Sequence, residues 1–322
     1  MSFSLRAKEE LEKHKSSARH CQIAELAAII SALGRISVRL DGRLFLVIQS
    51  ESPMVARKAA VLLQKGFQIK PDVSVMGSGD WKKSHVYTLA LRCHEEVSRV
   101  LQATKFLQEN GVLRDLELPV DNRVIQSACC RRAFLRGAFL SSGSISNPQK
   151  SYHFEIVCGN EEKAEQIRKV MVSFEVDAKI VLRKKYHVVY VKESDGIADL
   201  LNIMEAHLSL MELENIRILR GISGSVNRKV NCETANINKT VNAAVKQIED
   251  IKYIRDHVGF SELSEGLGEI AELRLQYPEA TLKELGMMLN PSVGKSGVNH
   301  RLRKLSSIAE ELRGNKEENC YD

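Results

Sequence analysis

The chain has 322 residues, 43% hydrophobic and 27% charged, with a formal net charge of +6. That length sets a prior of two domains with ordinary cores, and the positive balance leans towards polyanionic partners. No apolar run approaches the ~20 residues that span a bilayer, and the opening MSFSLRAKEELEKH has no apolar signal segment. The expected location is therefore cytoplasmic, with no membrane partner.

In chain order, the first residues read as a charged amphipathic helix bearing Phe3 and Leu5, and 21–33 (CQIAELAAIISAL) as a strongly apolar one. Strand-like runs Arg35–Leu40 and Arg43–Gln49 flank Asp41-Gly42, a two-residue hairpin signal. Met54–Lys65 is an amphipathic helix, Asp72–Met76 and His85–Arg92 form a second hairpin, and Ser98–Gln108 is helical. After a connecting segment over Gly111–Asn122 the pattern starts again. Arg131–Ser141 is a helix, Tyr152–Cys158 a strand and Glu161–Phe174 a helix; Lys179–Arg183 and Tyr186–Val191 form a hairpin around Lys184-Lys185, and Ile197–Met204 is helical. A helix–hairpin–helix–hairpin–helix unit written twice predicts an α+β domain of two pseudo-symmetric halves, about 1–110 and 123–222.

Beyond it, Val241, Val245, Ile248 and Ile251 or Ile254 recur at helical spacing, so 223–259 reads as a linker containing one long helix. Residues 260–313 read as an all-α helix-turn-helix domain and 314–322 as a polar, frayed tail. Within that domain Ser261–Tyr277 supplies the first helix, with Leu263, Leu267, Ile270 and Leu273 inward. Leu282, Leu285 and Leu289 mark the second, and Asn290-Pro291-Ser292-Val293-Gly294 breaks it with turn chemistry. A third follows with Val298, Leu302 and Leu305 inward and Lys295, Ser296, Asn299, His300, Arg301, Arg303 and Lys304 outward. From 291 to 305 there are Lys and Arg residues but no acid, which suits a helix lying in a DNA major groove. Those seven residues are the candidate DNA contacts. Gly297 is out of place in a helix interior, where it costs about 1 kcal/mol relative to Ala; a close approach to the preceding helix or to DNA would explain it. A solvated basic face on a small helical subdomain is the plainer alternative.

Candidate phosphate contacts also lie in the first domain. Arg35, Ser37 and Arg39 share one face of a strand. Lys82 and Lys83 beside Trp81, then Lys179, Arg183, Lys184 and Lys185, add positive charge. Glu51, Asp72 and Asp80 lie among them, so an ordinary solvated sheet explains them too. The seven cysteines are scattered without a C-x-x-C pair, and the nine histidines lack metal-ligand spacing. Cys129-Cys130 reads as buried small residues beside a helix start. Neither metal nor cofactor is expected, and no small-molecule substrate is evident.

The segment Leu135-Arg136-Gly137-Ala138-Phe139-Leu140-Ser141-Ser142-Gly143 resembles the LAGLIDADG helix of homing endonucleases, and Leu26-Ala27-Ala28-Ile29-Ile30-Ser31-Ala32-Leu33-Gly34 is a degenerate counterpart. They start at 135 and 26, 109 residues apart, in step with the repeat. The resemblance implies face-to-face packing of the two helices, with Gly137 and Ala138 allowing close approach. The endonucleases carry a metal-holding acid at the eighth motif position; here Leu33 and Ser142 stand there, so no catalytic residue and no nuclease activity is expected. Together with NRKVNCETANINKTVNAAVKQIEDI (227–251) and LKELGMMLNPSVGKSGVNHRLRKL (282–305), the whole chain resembles the WhiA family of Gram-positive regulators. That resemblance implies a nucleoid-associated, non-enzymatic protein that binds double-stranded DNA and controls transcription in sporulation, cell division or chromosome segregation. RNA polymerase or another regulator would be its protein partner. The alternatives are a divergent endonuclease using unusual ligands and a scaffold docking on transcription or division machinery.

Overall fold

The computed structural model describes residues 2–77 and 85–318. The chain divides into two compact units, Met1–Gly221 and Ile222–Asp322.

The first unit opens with α1 (Phe3–Lys13), followed by α2 (Arg19–Leu33), β1 (Gly34–Val38), β2 (Leu44–Ser50), α3 (Pro53–Phe67), β3 (Asp72–Gly77), β4 (His85–Leu91) and α4 (His94–Ala103). The second half repeats the plan as α5 (Ala128–Ser142), β5 (Gly143–Ile145), β6 (Phe154–Cys158), α6 (Glu161–Val172), β7 (Lys179–Arg183), β8 (Tyr186–Val191) and α7 (Ser194–Ile203). Each half builds a four-stranded antiparallel sheet, ordered β1-β2-β4-β3 and β5-β6-β8-β7. The expected duplication is what the fold contains.

The helices α2 and α5 form the centre. Both are buried over consecutive residues, Ala24 to Ile30 and Ala133 to Leu140, as expected of a helix apolar all round. Their separation is set at Gly137. A Cβ there would stand 2.4 Å from the Glu25 carbonyl oxygen and 2.9 Å from the Ala28 Cβ. Ala28 is the residue at the same motif position in the other half, so equivalent points of the two helices face each other beside the closest contact. Gly34 and Gly143 end the two helices in extended conformation and begin β1 and β5 directly.

Beside this crossing lies a buried ionic cluster. Glu25 (α2) is fully buried and its carboxylate stands 3.0 Å from Lys58 (α3) and 3.6 Å from Arg136 (α5). Lys58 also donates to the carbonyls of Leu11 (3.0 Å) and His14 (2.6 Å). Arg136 donates to Glu205 (2.8 Å) and to the Ser16 hydroxyl (2.7 Å). Burial pushes the Glu25 carboxyl up, opposed by Lys58 and then Arg136, and burial pushes Lys58 down, opposed by Glu25. Neither Glu25 oxygen accepts a well-aligned hydrogen bond, so the cluster is held by charge.

Several boundaries differ from the sequence reading. The helix expected over Ser98–Gln108 is α4, which starts earlier, where Glu95 and Glu96 favour its first turn, and stops at Ala103. Lys105 adopts a left-handed φ of 63° and the Phe106 N–H bonds back to the Leu101 carbonyl. The same stop recurs at Gln68, Glu175 and Glu205, closing α3, α6 and α7 in corresponding places. In the first hairpin Arg39 N–H bonds to the Arg43 carbonyl around the three-residue loop Leu40-Asp41-Gly42, with Gly42 at φ 80°, rather than around Asp41-Gly42 alone. The short β5 had no separate strand signal.

The long helix, α8 (His207–His257), begins sixteen residues before the expected linker start at 223, and runs through Gly221 and Gly224. Its start is capped by Glu10 of α1, which accepts from the backbone N–H groups of Leu208 (2.7 Å) and Ser209 (2.9 Å). In the second unit a short 3-10 turn (Phe260–Glu262) leads to α9 (Glu265–Gln276), α10 (Leu282–Met288) and α11 (Lys295–Glu318). The tail expected to fray from Gly314 is thus helical to Glu318; 319–322 lie outside the described residues.

Glu25→Gln leaves the Lys58 ammonium buried beside Arg136 without its countercharge. It should destabilise the intact chain by about 3–5 kcal/mol in urea unfolding; a cost below about 1 kcal/mol would show that the cluster is solvated in solution.

Candidate nucleic-acid interface

The second unit has its own core. Ile251 and Ile254 from the end of α8 meet Leu267 and Ile270 of α9, Leu285 of α10, and Val298, Leu302, Leu305 and Ala309 of α11. The expected inward residues Leu285, Leu289, Val298, Leu302 and Leu305 are buried, whereas Val241 and Val245, earlier on α8, are exposed. A capping box starts α10: the Thr281 hydroxyl accepts from the Glu284 N–H, and Glu284 accepts from the Thr281 N–H at 2.7 Å. That backbone bond holds the Glu284 carboxyl below its ordinary range.

The turn between α10 and α11 is built around Val293. Its N–H bonds to the Gly286 carbonyl at 2.9 Å, and a Cβ on Gly286 would stand 2.1 Å from the Val293 carbonyl oxygen. On the other side a Cβ on Gly297 would meet the Val293 Cγ1 at 2.5 Å. Gly297 thus makes room for the turn's own valine, and within the chain its close approach is to that turn and not to α10.

This packing fixes which side of α11 faces outward. With about 100° per residue, the buried row Val298, Leu302, Leu305 and Ala309 leaves Ser296, His300, Arg303 and Ser307 along the opposite side. All four are solvent-facing or, for Ser307, at the end of the same row, and all carry polar tips. Lys304 is exposed at its margin, Lys295 is exposed at the start of the helix, and Asn299 is half-buried on the flank. The side chains of Lys295, Ser296, Asn299, His300, Arg303 and Lys304 make no hydrogen bond or ion pair among the described residues. Arg301 is set apart from these six: its Nη1 lies 3.3 Å from the Gly266 carbonyl and its guanidinium packs on α9. Ser307 lies beyond the last inward residue named from the sequence, Leu305; the same period carried one turn further reaches it.

Three other basic groups of this unit are committed internally. Arg274 is buried, donates to the Ala280 carbonyl at 2.6 Å, and is pushed down by burial. Arg313 pairs with buried Asp250 at 2.8 Å, and Lys246 with Glu310 at 2.9 Å. Arg228, Lys229, Lys239 and Lys252 on α8 and Lys283 on α10 are also exposed without a side-chain partner among the described residues, so what marks the first half of α11 is basic charge with no acid between 291 and 305.

The sheets of the first unit are different. Arg183 pairs with Glu155 at 3.2 Å and Lys179 with Asp177 at 3.7 Å. Arg39 stacks over Phe45 and Lys185 over Tyr186. Arg35 and Lys184 are exposed without a side-chain partner among the described residues. Lys82 and Lys83 lie outside the described residues.

At the carboxyl ends of α2 and α5, where the endonucleases hold metal, Leu33 packs against the core and the Ser142 hydroxyl bonds back to the Ala138 carbonyl at 3.4 Å. A cavity of about 180 Å³ there is lined by Ser31, Ser142 and Lys163, and the Lys163 ammonium lies 3.0 Å from the Ser31 carbonyl. Glu117, its one carboxylate, is 3.7 Å from that ammonium and largely exposed. A lysine in this place opposes a divalent cation.

Family models match along most of the chain: the WhiA N-terminal LAGLIDADG-like domain over 19–107, the WhiA LAGLIDADG-like domain over 131–223 and the WhiA C-terminal HTH domain over 226–309. A "Probable cell division protein WhiA" of Lachnoclostridium phytofermentans is 55% identical over 97% of this chain and 100% of its own length. The chain belongs to the WhiA family. A WhiA relative from Alkaliphilus oremlandii is 46% identical over 99% of this chain and 100% of its own. The crystal structure of full-length DUF199/WhiA from Thermatoga maritima is 28% identical, covers 97% of this chain and 99% of that one, and superposes with a TM-score of 0.57. The WhiA architecture, two LAGLIDADG-like domains and a helix-turn-helix, is therefore the architecture of this chain.

The Val293 turn makes a differential prediction. Gly286→Ala drives a methyl into backbone and should cost about 1–3 kcal/mol in unfolding of the second unit, despite the better helix propensity of Ala. Gly297→Ala meets only a side chain and should cost distinctly less. Equal costs in thermal unfolding would contradict the turn geometry.

Proposed function

We propose that this chain is a non-enzymatic, sequence-specific protein that binds double-stranded DNA in the nucleoid. It acts as a transcription regulator, in cell division and chromosome segregation and, in sporulating lineages, in sporulation. The observation that carries this reading is the first half of α11, a polar and basic segment with no acid from 291 to 305 and, among the described residues, no side-chain partner for six of its side chains. A helix-turn-helix lays its last helix in the major groove with the amino-terminal residues at the base edges. Ser296, His300 and Arg303 then face the bases, Arg303 suiting guanine, while Lys295 at the helix start and Lys304 at the margin take phosphates. The relatives' description as probable cell division proteins supports the biological setting. RNA polymerase or another regulator is the protein partner this role implies.

The absence of carboxylates at Leu33 and Ser142, and Lys163 beside them, supports a first unit that has kept its scaffold without cleavage chemistry. Its sheet faces, with Arg183 and Lys179 paired to acids, support at most a minor contribution to phosphate binding.

Fluorescence anisotropy with a duplex selected from genomic DNA tests the reading. Arg303→Ala should weaken the selected duplex by about 1–3 kcal/mol and relax its sequence preference, whereas Lys295→Ala should weaken all duplexes alike and reduce the salt slope by about one. Supercoiled plasmid should stay uncut with Mg²⁺ or Mn²⁺. Unchanged affinity in His300→Ala/Arg303→Ala, or protein-dependent nicking, would overturn the proposal.

A further inference from the structure

Three of the cysteines that look scattered in sequence are gathered by the fold. His20 and Cys21 lie in the first turn of α2, and Cys129 and Cys130 in the first turn of α5. Under the 109-residue offset of the duplication, His20 corresponds to Cys129 and Cys21 to Cys130. The pseudo-twofold axis that pairs Gly137 with Ala28 therefore brings two equivalent donor pairs face to face. The His20 Nδ1 lies 3.1 Å from the Cys130 sulfur, 3.4 Å from that of Cys21 and 4.0 Å from that of Cys129. All four donor atoms lie within 4.8 Å of one another.

We propose that His20, Cys21, Cys129 and Cys130 hold a zinc ion in a closed tetrahedral site that staples the amino-terminal ends of the two central helices. Zinc with bonds of about 2.3 Å to sulfur and 2.0 Å to nitrogen sets its donors about 3.5–3.8 Å apart. The nitrogen–sulfur distances here bracket that spacing, so sub-ångström side-chain adjustments complete the tetrahedron. The donors are three thiols and an imidazole with no carboxylate, which selects a thiophilic ion over magnesium or calcium.

Charge is accommodated as well. Binding releases the three thiol protons to solvent and leaves one net negative charge on the centre. The positive ends of α2 and α5 converge on it, and neither Ala18 nor Ser127 caps its helix with a side chain. Arg132 and Arg136 line the same depression. Cys21 and Cys130 are buried and close the inner side, while His20 and Cys129 are exposed and give the ion an entry path. The site sits at the opposite ends of these helices from Leu33 and Ser142, so it is a structural staple and not a displaced cleavage centre. With four protein ligands it leaves no open position for substrate.

The expectation of no metal came from local spacing; the donors are adjacent residues paired across the duplication, an arrangement without a short-range signature. The test uses the tag-free full chain, purified under reducing conditions. Elemental analysis should find a single zinc per chain. After exchange for Co²⁺ the chain should show intense tetrahedral d–d bands with thiolate-to-cobalt charge transfer, bleached by added zinc. Cys129→Ser and Cys130→Ser should lose the ion, while Cys93→Ser and Cys232→Ser keep it. The unsubstituted chain's cobalt spectrum decides the matter even where a variant fails to fold. A metal-free chain with only the weak spectrum of octahedral cobalt, retention of zinc by both ligand variants, or a disulfide among these three cysteines under reducing purification would each overturn the proposal.

Discussion

Gly137 meets the Glu25 carbonyl with no room for a side chain between them, and the rest of the first unit is arranged around that contact. It brings α2 and α5 to backbone distance where Gly137 also faces Ala28, its equivalent in the other half, so the helices cross on the axis of the duplication. Each helix then ends at a glycine that passes straight into the first strand of its sheet, and the crossing therefore also places the two sheets. Glu25, which supplies that carbonyl, also supplies the carboxylate that draws Lys58 and Arg136 into the interior. A buried charge cluster of this kind contributes little net stability compared with apolar packing, but it is costly to break. It ties α2, α3 and α5 to the segments before α2 and after α7, so both halves are locked in one arrangement.

In the homing endonucleases that this architecture resembles, the same crossing serves chemistry, because two acids at its lower end hold metal. Leu33 and Ser142 cannot do so, and Lys163 occupies the neighbourhood. What persists is the geometry, and the proposed function places recognition in the second unit. There a single turn residue, Val293, is enclosed by two glycines, and its seat determines the rotation of α11 about its axis. The row Ser296, His300, Arg303 follows from that rotation, as does the placing of Arg301 against α9.

Much of this was legible in the residues. The alternation of apolar runs and turn signals gave the doubled helix–hairpin plan, and the heptad-like spacing of Val298, Leu302 and Leu305 gave the inner face of α11. The helix stops at Gln68, Lys105, Glu175 and Glu205 were not legible, because these residues reach left-handed conformation under tertiary constraint without the glycine that usually marks it. Nor was the start of α8, since Gly221 and Gly224 lower helix propensity in a segment that is helical throughout. The charge cluster and the His20–Cys130 grouping join residues far apart in sequence, and only a fold brings them together. On α11, the exposure of Lys295, Ser296, His300, Arg303 and Lys304 agrees with the periodicity, while Asn299 is half-buried. Arg301 was misplaced because outward and flanking positions differ by a rotation that periodicity alone does not resolve.

The central claim is that the first half of α11 reads DNA sequence. Genome-wide crosslinking and sequencing of bound DNA, comparing the intact chain with His300→Ala/Arg303→Ala at equal abundance, tests it most directly. The account predicts discrete peaks sharing a motif for the intact chain and their loss in the variant. Peaks that persist unchanged in the variant would move recognition away from α11 and contradict it.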